Sequence, residues 1–415
     1  MQVVDASKLA NNKLPFSDVK PHIFDITYDC LRRILEHLEL SCQFSALQTD
    51  PLFGHIILDD IWHPYRKTFF DLSQDTCLSE RSPQFQCDFL CVVLSRFPRI
   101  TRIPINVFTA CEKQMKGKTF ENVTELGLCN SKSFATDVLC FEVFRTFPGL
   151  IGLDVTNVAI DMRNCSVHDH LERVSLVASN IILSKVQTNH LSTQSLFSKN
   201  LRSLDFRPRP SCTLPIHFVA SYSDLKELTL YTHCIRDTQS LNRILNLVAL
   251  QTFTLYSYDN YYFSTTDHRI FENILDRRTQ GHQKKCTWAL EINGIPEKLF
   301  FLKTAILQVK ILHWSVSKIF HKKRDGSVEW GSDVQDTTQA FHKFVVNNAA
   351  LKTLVVSNNI MHCRAISGDP DCEDNLQLRR QRKGYERVQI VSTPTKPSDC
   401  GQTSDGYVTF IFSTI

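Results

Sequence analysis

The chain has 415 residues and no run of about 18 apolar ones, the length a helix needs to cross a bilayer, so no membrane span is expected. Its start, Met1-Gln2-Val3-Val4-Asp5-Ala6-Ser7-Lys8, lacks a basic stretch followed by an apolar core, which argues against a secretory signal. Lys and Arg number 47 against 43 Asp and Glu, a formal charge of +4, too small an excess for general attraction to nucleic acid. There is no Gly-x-x-x-x-Gly-Lys-Ser/Thr loop, no Gly-x-Gly-x-x-Gly and no Gly-x-Ser-x-Gly, so neither a phosphate cradle nor a nucleophile elbow is indicated. Cys-x-x-Cys pairs are also missing. Cysteine itself is plentiful: 15 residues scatter from Cys30 to Cys400. The odd count without a framework fits reduced thiols and a cytoplasmic and/or nuclear location. Cys91 and Cys140 lie in apolar helical runs and read as core residues, and Cys87-x-x-x-Cys91 as packing on one helix face. The acceptor patterns Asn122-Val123-Thr124 and Asn164-Cys165-Ser166 carry no meaning without secretion. His268, His282 and Cys286 lack a fourth ligand at sensible spacing, and His168 and His170 stand alone in a polar stretch. No metal, no cofactor and no active site is expected.

What is present is a spacing. In Leu225-Lys226-Glu227-Leu228-Thr229-Leu230 the apolar residues fill positions one, four and six. The same pattern starts at Ile100, Val123, Leu150, Leu171, Leu201 and Leu250, and again at Thr287, Ile306 and Leu351. At 42% apolar content, chance fills three given positions roughly 7% of the time, so the period decides. The starts from 100 to 250 are separated by 23, 27, 21, 30, 24 and 25 residues, a mean of 25. Between them lie helical spacings: Phe89, Val93, Phe97; Leu139, Val143, Phe147; Leu241, Ile244, Leu245, Val248; Phe341, Phe344, Val345. Pro98 and Pro148 stop the first two at a shared Phe-Pro-x-Ile/Leu junction.

This part resembles the leucine-rich-repeat family, whose units run about 20–29 residues. The resemblance implies an α/β fold, a horseshoe solenoid with parallel strands on a concave face and helices outside. Positions one, four and six would point into the core, and two, three and five outward. The fifth positions Gly127, Asp154, Ser175, Asp205, Thr229 and Thr254 then form a small, polar column suited to a protein or peptide, although each alone is equally a solvated strand residue. After Leu255 the period breaks, and Asp259–Lys285 and Trp314–Gln339, with His321-Lys322-Lys323-Arg324-Asp325-Gly326, read as loops. The run Arg379-Arg380-Gln381-Arg382-Lys383 reads as a solvated patch before an import signal or phosphate contact. Val408, Phe410 and Phe412 alternate as a closing edge strand would.

The N-terminal part is different. Leu31, Ile34, Leu35 and Leu38 follow a helical stripe, with Thr27 as N-cap and Asp29 in the first turn. Phe44, Ala46 and Leu47 form a second run. Asp50-Pro51 announces a third helix with Leu52, Phe53, Ile56 and Ile57 on its stripe. These residues resemble an F-box, with Ile26 to Leu31 at its opening. Thr27 stands where that family has proline, and Asp50-Pro51-Leu52-Phe53 where it has a Val-Cys-Lys-x-Trp-like run. The resemblance implies a Skp-type adaptor, and through it a cullin, bound through Ile26, Thr27, Cys30, Leu31, Ile34, Leu35 and Leu38. It makes the chain a non-catalytic substrate receptor of a ubiquitin ligase, with Asp154, Ser175, Asp205, Thr229 and Thr254 facing an unknown target. The alternative is a non-catalytic leucine-rich-repeat scaffold whose N-terminal helices are only a cap. The expected layout is a leader at 1–21, the F-box-like unit at 22–65, repeats at 66–360, a polar loop at 361–384 and a C-terminal strand or cap region at 385–415.

Overall fold

A computed structural model describes residues 23, 26–63, 69–72, 75, 77–130, 138–163, 170–183, 196–209, 216–235, 237–256, 270, 287–293, 311–315, 320–322, 328–330, 345–348, 350–357, 377–393 and 407–413. The leader, Asn164-Cys165-Ser166, His168, the 259–285 stretch apart from residue 270 but with His268 and His282, Cys286, Ile306, Val309, Phe341, Phe344 and Gly368–Asp371 lie outside the described residues. The chain divides into two compact units, Met1–Thr68 with Gln74–Ser82, and Phe69–Ser73 with Pro83–Ile415.

The first unit holds α1 (Tyr28–Glu36), α2 (Leu40–Thr49) and α3 (Pro51–His55), the last running into a π turn at Ile56–Ile61. Asp50 caps α3 as its sequence promises, its carboxylate accepting from the Leu52 N–H at 2.8 Å. Thr27 occupies the N-cap of α1, but its hydroxyl makes no cap hydrogen bond. Leu31, Leu35, Phe44, Ile56, Ile57 and Trp62 fill the core of this unit. Trp62 Nε1 donates to Gln43 Oε1 at 2.6 Å, and Gln43 Nε2 donates to the Leu38 carbonyl at 3.0 Å, so a buried amide ties α2 to the π turn and to the end of α1. Asp75, itself buried, accepts from the Ser41 N–H and hydroxyl at 2.6 and 2.8 Å and from the Leu78 N–H at 2.9 Å. It thereby neutralises the start of α2 from a distant stretch of chain.

Among the described residues the second unit has eighteen strands, α4 (Pro83–Arg96), α5 (Ile105–Met115), α6 (Thr238–Leu245) and short 3₁₀ turns. The strands are β1 (Phe70–Asp71), β2 (Arg99–Pro104), β3 (Glu125–Cys129), β4 (Val138–Cys140), β5 (Gly152–Thr156), β6 (Ala159–Asp161), β7 (Arg173–Val177), β8 (Asn180–Ile182) and β9 (Ser203–Arg207). They continue with β10 (Glu227–Tyr231), β11 (Thr252–Tyr256), β12 (Thr287–Asn293), β13 (Ile311–Ser315), β14 (Phe320–Lys322), β15 (Val328–Trp330), β16 (Thr353–Ser357), β17 (Gln389–Thr393) and β18 (Tyr407–Ser413). Thirteen of them make one sheet in the order β1-β2-β3-β5-β7-β9-β10-β11-β18-β12-β13-β16-β17. The first eight are parallel throughout. Its register repeats: the carbonyl of each position-two residue (Thr124, Ile151, Glu172, Arg202, Lys226) accepts two consecutive N–H groups from the next strand. The position-four and position-six side chains, from Leu126 and Leu128 to Phe253 and Leu255, are buried.

The expected leucine-rich-repeat horseshoe solenoid is overturned. The finding is a large parallel sheet of eight strands with helices, an α/β fold, continued by strands that do not follow chain order. In a solenoid each repeat touches only its sequence neighbours. Here β18 lies antiparallel between β11 and β12, paired over five positions with one and seven with the other. It is therefore an interior strand and not the closing edge that its alternating residues suggested.

The intervening segments also depart from uniform helices. Leu139 sits in β4, and Phe141–Thr146 is a 3₁₀ helix in which Phe141 and Phe144 pack edge-to-face at 5.0 Å. Three residues per turn eclipse such a pair, which an α-helix would splay. Val248 lies beyond α6 and is 84% exposed. Cys140 is exposed and Cys91 half-buried, so neither is a core residue. β13 begins where the motif starting at Ile306 ends, and β14 and β15 form an antiparallel hairpin within the stretch read as a loop.

Arg380 corrects the basic patch. It is fully buried on a short helical stretch at 377–382. Its guanidinium donates to the carbonyls of Val345, Asn348, Leu351 and Glu386, the Asn348 and Leu351 contacts at 2.6 and 3.1 Å.

Candidate functional site

Two surfaces carry the residues marked by the sequence. On the first unit, α1 turns one side inward and another outward. Leu31 and Leu35 are 2% and 4% exposed and belong to the unit's own core. Ile26, Cys30, Ile34 and Leu38, spaced four apart, are all exposed, with Ile34 at 46%. Thr27, Ile23, Tyr28 and Leu52 are exposed as well. Cys30 and Ile34, four apart on α1, share a helix face, and Ile26 and Leu38 flank its two ends, so the chain presents exposed apolar residues next to the ones it buries. The adaptor set read from sequence thus divides into an exposed set and two core residues.

On the second unit the site is the outer face of the parallel sheet. Strand alternation places positions three, five and seven of each motif on it. The fifth-position column is in register: Gly127 opposite Asp154, Asp154 opposite Ser175, Ser175 opposite Asp205, Asp205 opposite Thr229, Thr229 opposite Thr254. β18 extends it, with Thr254 and Thr409 hydroxyls 3.0 Å apart. All five substrate-face residues named from sequence are therefore brought together on one face.

The sequence reading missed the flanking columns. At position three, Glu125, Gly152, Arg173, Ser203 and Glu227 stand side by side. Arg99 donates to Glu125 at 2.6 Å, and Arg173 reaches across Gly152 to the same carboxylate. A Cβ at Gly152 would lie 3.3 Å from the Glu125 side chain and 3.5 Å from that of Arg173, so the missing side chain is what opens the path. At position seven, Arg207, Tyr231 and Tyr256 are neighbours. Arg207 forks onto Asp205 at 2.7 and 2.6 Å and lies 4.2 Å over the Tyr256 ring. Burial works against the Arg207 charge, but the hydrogen bonds and charge of Asp205 outweigh it and hold the guanidinium above its ordinary range. Alternation alone would have flagged these columns, since residues two apart share a face.

Asp154 is the exception in this array. It is exposed at the strand surface, and its carboxyl is raised above the usual aspartate value. Desolvation by the crowd of neighbouring side chains is the main cause. The hydrogen bond with Ser175 lowers it, the charge of Asp205 raises it, and Arg207 and Arg102 lower it from farther off. Gly127 beside it adds no bulk, because a Cβ there would sit 3.0 Å from the backbone of Arg102, whose positive φ of 54° marks the irregular step in β2.

Cysteine chemistry is muted. Every cysteine among the described residues is a free thiol, and burial, then the hydrogen bond with Cys87, push the Cys111 thiol well up and out of the reactive range. Among the described residues no group of three or more His, Cys, Asp or Glu could hold a metal ion, and no helix is long and apolar enough to cross a membrane. Compared with known proteins, the chain matches no family model and no curated protein.

Proposed function

We propose that the chain is a non-catalytic substrate receptor of a Skp–cullin–F-box type ubiquitin ligase. The N-terminal unit would bind the Skp-type adaptor, and the outer face of the sheet would hold the target protein. The observation that carries this reading is a set of exposed apolar side chains, Cys30 and Ile34 on α1 with Ile26 and Leu38 flanking its two ends, beside Leu31 and Leu35, which already fill the unit's own core. A small helical unit that exposes apolar side chains beyond its core is built to be covered. The mechanism is tethering, which raises the effective concentration of a target lysine near the charged ligase, with no covalent step made by this chain.

The test is co-expression of the full chain with a Skp-type adaptor, followed by size-exclusion chromatography. The wild-type chain should co-elute with the adaptor. Ile34→Asp, a charge placed on an exposed position, should abolish the complex while leaving the circular dichroism spectrum unchanged. Leu31→Asp cannot serve, because a charge in the core would unfold the unit for reasons unrelated to binding. A chain that elutes alone, or an Ile34→Asp variant that keeps the adaptor, sinks the proposal.

A further inference from the structure

We infer that Tyr28 is a phosphorylation site, and that a phosphate on its hydroxyl switches off the adaptor-binding surface of the first unit. The inference rests on the receptor reading and names the regulation of that same surface.

Exposure singles the residue out. Among the tyrosines whose side chains are described, Tyr222 and Tyr231 are buried, and Tyr256 and Tyr385 are half-buried. Tyr28 is 43% exposed, open to a modifying enzyme. Asp25 and Asp29 flank it in sequence, an acidic context that suits a tyrosine kinase with a basic peptide cleft. The step is a phosphoryl transfer from ATP. The phenolic oxygen bonds to the γ-phosphorus as the bond to ADP breaks, ADP departs, and the phenolic proton leaves to the kinase's base.

What the phosphate undoes is one tertiary contact. The Tyr28 hydroxyl donates to the Asp60 carboxylate at 2.5 Å, joining the first residue of α1 to the π turn 32 positions along the chain. Thr27, at the N-cap, gives no side-chain hydrogen bond, so the start of α1 leans on this contact. The exposed Ile26 and Cys30 lie two residues to either side of Tyr28, and they hold their places only while that first turn is formed. Phosphorylation replaces the donated proton with about 1.5 to 2 negative charges beside Asp60, and the contact turns from attraction to repulsion. Nearby cations are engaged elsewhere. Arg32, one turn along α1, is held by Glu36 at 2.7 Å, and His55 lies 2.8 Å from Asp59. A negative charge at a helix start is ordinarily favourable, but Asp29 already fills that role, and the phosphate at the far end of the ring faces Asp60 instead.

The experiment treats the full chain with ATP and a broad-specificity tyrosine kinase, maps the modified tyrosines by mass spectrometry and titrates the product with a Skp-type adaptor. Tyr28 should be modified, and the modified chain should bind the adaptor roughly tenfold or more weakly. Tyr28→Phe loses only the hydroxyl. It should bind within about fivefold of the wild type and lose nothing further after kinase treatment, which sets aside phosphate on other tyrosines. Asp60→Asn removes the opposing charge, so its phosphorylated form should bind within about threefold of its own unmodified form. An unmodified Tyr28, an adaptor affinity unmoved by its phosphate, or an undiminished loss in Asp60→Asn overturns the inference. Amide hydrogen exchange over α1 separates the two claims, because it needs no adaptor. If both forms bind the adaptor equally, this inference fails and the receptor reading stands. If neither form binds it, the receptor reading fails; faster exchange at residues 28–31 on phosphorylation then supports the release of α1, and unchanged exchange overturns it.

Discussion

Arg380 shows how a residue can be misread at its own scale. Five consecutive residues with four positive charges look like a solvated patch, and Arg379 and Arg382 are exposed as such a patch would be. Arg380 instead turns inward and gathers four carbonyls, three from the 345–351 segment and one from Glu386, where a helical turn ends and a strand starts. Nothing in the local pattern marks it, because three of its four partners lie about thirty residues away along the chain. Arg380→Met keeps the length of the stem and removes the donors. It should cost about 2–4 kcal/mol in urea unfolding, since several buried carbonyls lose their partner at once. A loss below about 0.5 kcal/mol would mean that water replaces the guanidinium, and would sink this account. Asp75 makes the same point in the first unit: its carboxylate holds the start of α2, yet no spacing in the sequence connects it to Ser41.

Among elements, the strands of the parallel block were the most legible. β3, β5, β7, β9, β10 and β11 each begin at position three of their motif, because positions one, four and six must be buried together and a strand returns four and six to one face. The helices between them were less legible, since an i, i+3 aromatic pair satisfies a 3₁₀ turn as well as an α-helix. The place of β18 was not legible at all. Its alternating apolar residues identify a strand but not its neighbours, and its partner β11 lies more than 150 residues upstream. Deleting residues 407–415 would leave β11 and β12 with unpaired N–H and C=O groups along an interior seam. The truncated chain should aggregate on size-exclusion chromatography and lose cooperative thermal unfolding. A monomeric product with an unchanged melting curve would show that the seam closes without β18.

At the scale of the molecule, the mixture of one small and one large unit sets how the chain unfolds. The first unit has few fully buried side chains, chiefly Leu31, Leu35, Phe44, Ile56, Ile57 and Trp62, and a core of that size is marginal by itself. The second rests on a long row of buried strand residues, of which Phe206 is packed edge-to-face on Phe218 at 5.5 Å. Calorimetry of the full chain should therefore show two transitions and not one. Leu31→Asp should remove the smaller transition alone, and Phe206→Ala should lower the larger by about 3–5 kcal/mol. If both transitions move together in either variant, the units do not unfold separately. The same scan bears on function, because a ligand that binds only the folded unit stabilises it by mass action. A Skp-type adaptor at a hundred times its dissociation constant should raise the smaller transition by about 2.7 kcal/mol and leave the larger in place. The Ile34→Asp variant should keep the smaller transition and lose that response, which separates a unit that cannot fold from one that folds and cannot bind.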